Sequence, residues 1–143
     1  MLNFRCASCG GWNRVESARV GQSPTCGRCK AALPVDAGPV HADDDLLDAL
    51  IAKSPVPVLV DFHASWCGPC HVLAPRLDTL SKRLAGRLVV AKVDVDRNRR
   101  LAERLQVQSV PTLALYVGGQ MVQRTAGALS DSALHQLVAA HVR

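Results

Sequence analysis

Val58-Leu59-Val60-Asp61-Phe62-His63-Ala64-Ser65-Trp66-Cys67-Gly68-Pro69-Cys70 decides the fold of this chain. The apolar run from Val56 to Phe62 has the length and composition of a buried strand. Immediately downstream, Leu73, Leu77, Leu80 and Leu84 recur at i, i+4, i+7 and i+11, which predicts a helix from about Cys67 to Ala85. Pro75 lies inside that pattern and is expected to kink it, and Gly86 is expected to end it. The two cysteines therefore stand at a strand-to-helix junction, with Cys67 at the helix N-terminus.

Outward from this junction, strand and helix signals alternate. Asp43 to Lys53 reads as a helix with aspartates in its first turn and Leu46, Leu47, Leu50 and Ile51 on one face. Leu88 to Val95 reads as a strand and Arg99 to Leu105 as a short helix. Thr112 to Val117 and Met121 to Thr125 form a hairpin around Gly118-Gly119, and Ser130 caps a last helix bearing Ala133, Leu134, Leu137 and Val138. With a short strand near Val40, this order predicts an α/β fold: a central mixed β-sheet flanked by helices on both faces.

The junction also carries chemistry. A cysteine at a helix N-terminus faces unpaired N–H groups and the positive end of the helix dipole, which favours thiolate. A thiol with a pKa of about 8.5 is only about 3% ionised at pH 7, whereas one near 7 is half ionised. Cys67 is thus the expected nucleophile toward a disulfide, and Cys70, three residues deeper on the same face, resolves the mixed disulfide. Gly68 and Pro69 keep the turn compact. Cys70 needs a base, and Asp61 in the preceding strand is the candidate, its pKa raised by desolvation. Lys92, in the next strand, is positioned to tune that carboxyl by its charge. Trp66 borders the dithiol as packing or as client contact.

These residues resemble the active-site region of the thioredoxin family. Val93-Asp94-Val95-Asp96, Ser109-Val110-Pro111-Thr112 and Gly127-Ala128-Leu129 match further landmarks of that family in order, and the resemblance covers about residues 39–143. It implies the thioredoxin fold. It also implies a cis-proline at Pro111 facing the dithiol, pairing of the Val110 backbone with an extended client, Asp61 as buried base with Lys92 as its neighbour, and a groove glycine at Gly127. It further implies regeneration by NADPH-dependent thioredoxin reductase, with no NADPH or flavin bound by this chain. Two positions depart from the pattern. His63 stands where thioredoxins usually carry tryptophan, and His71 stands where Lys or Arg is common.

The remaining four of the six cysteines are also paired: Cys6-x-x-Cys9 and Cys26-x-x-Cys29, sixteen residues apart. Two such knuckles fit a tetrahedral four-cysteine site for one structural Zn2+. Residues 1–33 show little apolar periodicity and need such a staple. Two stable disulfides are the competing reading, disfavoured because the N-terminus lacks the pattern of a secretory signal. A redox-labile metal site is compatible with the main reading. A ribbon of this kind joined to a WCGPC domain resembles the thioredoxin 2 branch of the family. The expected organisation is a zinc ribbon over 1–33, a Pro- and Gly-rich linker over 34–38, and a thioredoxin domain over 39–143.

Composition bounds the rest. Of 143 residues, 48% are hydrophobic and 20% charged, which excludes a disordered chain. Aromatics are 3%, so the core must be built from Leu, Val, Ala and Ile. No apolar run approaches the roughly 18 residues of a membrane span, and the expected location is cytoplasmic. The formal net charge is +5, and zinc held by four thiolates lowers it by two. Trp12, Arg14 and Arg19 are the residues with which the ribbon could contact nucleic acid. The weak basic balance and the lack of a stacked aromatic set disfavour that partner. The expected function is a protein-disulfide reductase acting on disulfide-containing client proteins. The alternative is a zinc-dependent binding or chaperone-like adaptor whose dithiol serves a few clients. A disulfide oxidant or isomerase is disfavoured by Pro69 between the cysteines.

Overall fold

The computed structural model describes residues 1–142. Among these residues, seven strands and four α-helices follow in order: β1 (Leu2–Arg5), β2 (Trp12–Val15), β3 (Val40–His41), α1 (Asp44–Lys53), β4 (Val58–His63), α2 (Gly68–Arg83), β5 (Val89–Asp94), α3 (Arg99–Arg104), β6 (Thr112–Val117), β7 (Gln120–Ala126) and α4 (Asp131–Ala139). A 3-10 turn over Ser17–Gln22 follows β2. The predicted elements are all present, with ends shifted by at most two residues. Helix α2 runs unbroken through Pro75, and Thr79 Oγ1 donates to the Pro75 carbonyl at 3.1 Å. Asp43 caps α1 by accepting from Leu46 N–H at 2.9 Å, and Ser130 caps α4 by accepting from Ala133 N–H at 3.1 Å.

Five strands form one sheet in the order β3-β5-β4-β6-β7. Strand β4 is central, parallel to β5 and antiparallel to β6, and β3 is parallel to β5 while β7 is antiparallel to β6. Alternation along β4 sends its side chains to two different layers. Val58, Val60 and Phe62 pack with Leu47 and Leu50 of α1 and Leu101 of α3. Leu59 packs with Leu73, Leu77 and Leu80 of α2 and with Leu134 and Val138 of α4. The sheet is thus covered on both faces, which explains why β4 reads as a continuous apolar run.

The N-terminal segment holds more regular structure than its sequence suggested. Strands β1 and β2 form an antiparallel hairpin from Leu2↔Val15 to Arg5↔Trp12. Its small core consists of Phe4, Cys6, Val15, Cys26 and Leu33, with Val35 and Ala85 packed against it. Ala85 belongs to the turn after α2, so this core is shared with the larger domain. Asn3 N–H donates to the Gly86 carbonyl at 2.8 Å, and Trp12 packs against the α1 side of the main core. The connector over 34–38 lies against both parts: a Cβ at Gly38 would come within 2.6 Å of Asp78 Oδ1. The hairpin docks at the ends of β4 and β5 opposite the dithiol, and α2 spans the distance between them.

Two substitutions test this packing. Leu77 is fully buried, so Leu77→Ala is expected to destabilise the chain by about 2–5 kcal/mol in urea unfolding. Gly86 has φ +83°, and a Cβ there would meet Leu2 Cβ at 2.6 Å and Phe4 at 2.9 Å. Gly86→Ala is expected to cost about 1–3 kcal/mol, and a wild-type midpoint would contradict the docked hairpin.

Candidate functional site

Strand β4 ends at His63 and the chain reaches Cys67 four residues later. Cys67 is the N-cap of α2, with Pro69 in the first turn. Cys67 and Cys70 form a disulfide, and Cys70 N–H points at Cys67 Sγ at 3.2 Å. Both cysteines are almost buried, 3% and 5% exposed, within a small apolar cluster of Ala64, Val95 and Val110. The helix N-terminus supplies N–H groups and a positive dipole end to the sulfur that caps it. This is the electrostatic condition for a stabilised thiolate once the disulfide is reduced.

The face opposite the dithiol is made by the β6 entry. The Val110–Pro111 peptide bond is cis, and the Val110 carbonyl oxygen lies 3.6 Å from Cys67 Sγ. Gly127 N–H donates to the Pro111 carbonyl at 2.9 Å, which places Gly127 beside the same loop. Neither Gly68 nor Gly127 has any neighbour within 4 Å of the position a Cβ would take, so the backbone is open on both sides of the dithiol. Trp66 is 71% exposed, and its indole N–H donates to Asp96 Oδ2 at 2.9 Å. That bond fixes a large apolar surface next to Cys67. In the sequence Asp96 stands only as part of a family landmark, since nothing local marks an aspartate thirty residues away as the partner of Trp66.

Asp61 occupies the α2 face of β4, two residues beyond Leu59, where the strand runs toward the first turn of α2. It is 1% exposed, and its burial raises the carboxyl to about 6, with Lys92 pulling in the opposite direction. Lys92 lies directly opposite Asp61 in the β4–β5 register, and His41 lies opposite Lys92 in β3–β5. A polar row therefore runs over β3, β5 and β4 and ends at Leu113 of β6. His63 is also partly buried, and desolvation first, then Lys92, lowers its pKa. His71 is exposed, with Nε2 at 2.7 Å from the Ser65 carbonyl oxygen.

The four N-terminal cysteines converge. Their sulfurs all lie within 4.8 Å of one another, with Cys6 Sγ 3.5 Å from Cys29 Sγ and Cys9 Sγ 3.7 Å from Cys26 Sγ. A tetrahedron with metal–sulfur arms of about 2.3 Å has edges of about 3.8 Å, so the donor set fits a four-coordinate metal. Backbone N–H groups point at the sulfurs: Cys9 at Cys6 (3.5 Å), Gly11 at Cys9 (3.4 Å) and Arg28 at Cys26 (3.4 Å). The Cys29 N–H, the Asn13 amide and the Arg28 N–H hold the Cys26 thiol down to about 6, whereas at Cys9 the Gly11 N–H is outweighed by burial and the neighbouring sulfurs, which push the thiol up to about 11. Asn13 also accepts from Gly27 N–H at 2.9 Å through Oδ1, tying one knuckle to the hairpin. Its part was not visible in the sequence. Trp12 is half-buried and packs against the α1 side of the main core.

Comparison with known proteins agrees with this geometry. The thioredoxin family model matches residues 38–140, and the model described as "Thioredoxin 2, N-terminal" matches residues 5–31. Thioredoxin C-3 of Corynebacterium nephridii is 39% identical over 132 residues, covering 92% of this chain and 89% of that protein. Thioredoxin 1 of Chlorobaculum tepidum is 49% identical over 92 residues, 64% of this chain and 91% of that protein. A mutant thioredoxin from Halobacterium salinarum superposes with a TM-score of 0.69 at 36% identity, covering 74% of this chain and 92% of its own. Among the described residues no helix is long and apolar enough to cross a membrane. Strand order, dithiol, cis-proline and both family matches converge: the chain belongs to the thioredoxin family, in its ribbon-bearing thioredoxin 2 form, and is a thiol–disulfide oxidoreductase.

Proposed function

We propose that this chain reduces protein disulfides through two exchanges at Cys67 and Cys70. The Cys67 thiolate attacks one sulfur of a client disulfide, that bond breaks, and the first client thiolate leaves. Asp61 takes the proton of the Cys70 thiol. The Cys70 thiolate then attacks Cys67 Sγ, the mixed disulfide breaks, and the second client thiolate leaves. The intramolecular disulfide seen in the structure is the end state of this cycle. The observation that carries the reading is the placement of this pair on the first turn of α2, above a buried carboxyl in β4.

Lys92 tunes Asp61 from the neighbouring strand. Its charge offsets part of the desolvation that raises the carboxyl, so the group is ionised and basic near neutral pH. Trp66, Gly68, Pro69, Val110, Pro111 and Gly127 form the surface that takes an extended client segment, with the Val110 backbone pairing with it and Gly127 leaving room for its main chain. Cys6, Cys9, Cys26 and Cys29 hold one Zn2+. Four protein ligands leave no open position, so the ion supplies cross-linking rather than catalysis. Ribbon, connector and catalytic domain occupy 1–33, 34–38 and 39–143. Electrons come from an NADPH-dependent thioredoxin reductase, the location is cytoplasmic, and this chain holds neither NADPH nor flavin.

In an insulin-reduction assay with dithiothreitol, the wild-type chain is expected to accelerate precipitation well above reductant alone, and Cys67→Ser to return it to that baseline. An equal rate for both contradicts the cycle. Asp61 predicts a pH signature. Its carboxyl titrates near 6 when folded and near 3.8 otherwise, so between these values the folded chain binds the extra proton. Stability therefore falls as pH rises from about 4 to about 6 and stays lowered above. Asp61→Asn is expected to be more stable than wild type by about 2 kcal/mol at pH 8, with the gain shrinking toward pH 4. A gain independent of pH in urea titrations contradicts the buried carboxyl. Finally, the intact mass is expected to fall by one zinc between native and acidic conditions. An unchanged mass with four free N-terminal thiols contradicts the metal site.

A further inference from the structure

Among the described residues, two buried side-chain atoms find no hydrogen-bond partner in the protein: Asp61 Oδ1 and His63 Nε2. They stand two residues apart on β4, so alternation places both on the same strand face, roughly 6–7 Å apart along the chain. Buried polar atoms of this kind are normally satisfied by protein or by ordered water. Asp61 is sealed from solvent. His63 is not: it forms part of the wall of an open cavity of about 550 Å³ together with His41, Asp43, Lys92, Asp94 and Arg97. His63 therefore stands between the sealed carboxyl and the water outside.

Resolution profits from such a passage. A proton taken from Cys70 and held on the sealed Asp61 carboxyl can fall back onto the thiolate, whereas its passage to solvent leaves Cys70 ionised for attack on Cys67. We infer that His63 relays the proton of Asp61 to solvent, through a water bonded to both Asp61 Oδ1 and His63 Nε2. The imidazole takes the proton at Nε2, releases its other ring proton, on Nδ1, to the cavity, and returns to its Nδ1–H form by proton exchange with water there, so no charge accumulates. This inference rests on Asp61 acting as the base toward Cys70.

The surroundings suit the task. The titratable and charged groups facing His63 are Asp61 on its own strand, Lys92 and Asp94 on β5, His41 on β3, His71 at the start of α2, and Asp43 and Arg97 around the shared cavity. Desolvation and the Lys92 charge hold His63 below its ordinary value, so it is neutral and accepting near pH 7. Asp61 titrates near 6, so near pH 7 it gives up a proton readily to a neighbouring acceptor. A tryptophan, the residue that this position usually carries in the family, has a ring N–H that only donates. A relay at this position is therefore a property of this chain.

Single-turnover reduction of a disulfide peptide with a reporter on each half separates attack by Cys67 from resolution by Cys70. For His63→Gln, attack is expected to be unchanged and resolution slowed roughly three- to tenfold, a small share of what general acid–base groups contribute. The slowing is expected to be greatest above pH 6 and to be reversed by added imidazole. Asp61→Asn is expected to slow resolution and to make His63→Gln silent on top of it. Normal resolution in His63→Gln beside slowed resolution in Asp61→Asn overturns the relay alone. Normal resolution in Asp61→Asn overturns the base assignment, and the relay with it. In the wild-type chain, NMR titrations of the Asp61 carboxyl carbon and the His63 ring nitrogens are expected to show shared two-step curves. Independent single-step curves overturn the relay even where His63→Gln fails to fold.

Discussion

Everything in this molecule hangs on the pairing of β4 along both of its edges. Six residues of that strand run parallel to β5, and five of them pair with antiparallel β6. No backbone group of the strand interior is left to solvent, and both faces are packed by helices. A strand held this way cannot slide, because a one-residue slip would exchange its two apolar faces. The rigid end of β4 is therefore a fixed platform, and the chain leaves it directly into the loop that sets Cys67 on α2. The precision of the sulfur geometry is inherited from the sheet.

The same constraint makes Asp61 both destabilising and useful. A carboxyl in the middle of a doubly covered strand loses its hydration and has Lys92 across the register as its nearest opposite charge. Local rules favour a hydrophobic residue there. The structure breaks the rule at one position, next to the reactive sulfurs, where the chemistry calls for a proton acceptor of raised pKa.

The catalytic domain was readable in the sequence because its signals are strong and consistent. The leucine repeat of α2, the apolar runs of β4 and β6, the caps Asp43 and Ser130, and the Gly118-Gly119 turn each indicate one local state, and the packed fold agrees with all of them. Thioredoxin landmarks then placed Pro111 and Gly127. The ribbon hairpin was hidden for a physical reason. Leu2-Asn3-Phe4-Arg5 is too short to show periodicity, and its core borrows fully buried Cys6 and Cys26 as apolar filler. Likewise, the links from Trp66 to Asp96 and from Asn13 to Cys26 and Gly27 depend on approach in space, which spacing along the chain does not encode. His63 was visible as a departure from the family pattern, but its burial beside Asp61 is a fact of three dimensions.

Helix α2 does more than carry the dithiol. Sixteen residues at about 1.5 Å each make it about 24 Å long. It has Cys67 at one end and the ribbon contact at Ala85 and Gly86 just beyond the other. Three CxxC pairs in one small chain invite disulfide scrambling, yet the helix acts as a rigid spacer that keeps the two sulfur populations from colliding within a molecule. Any exchange between the dithiol and the metal thiolates must then occur between two molecules, so its rate is second order in protein. Dilution protects the ribbon, and crowding exposes it.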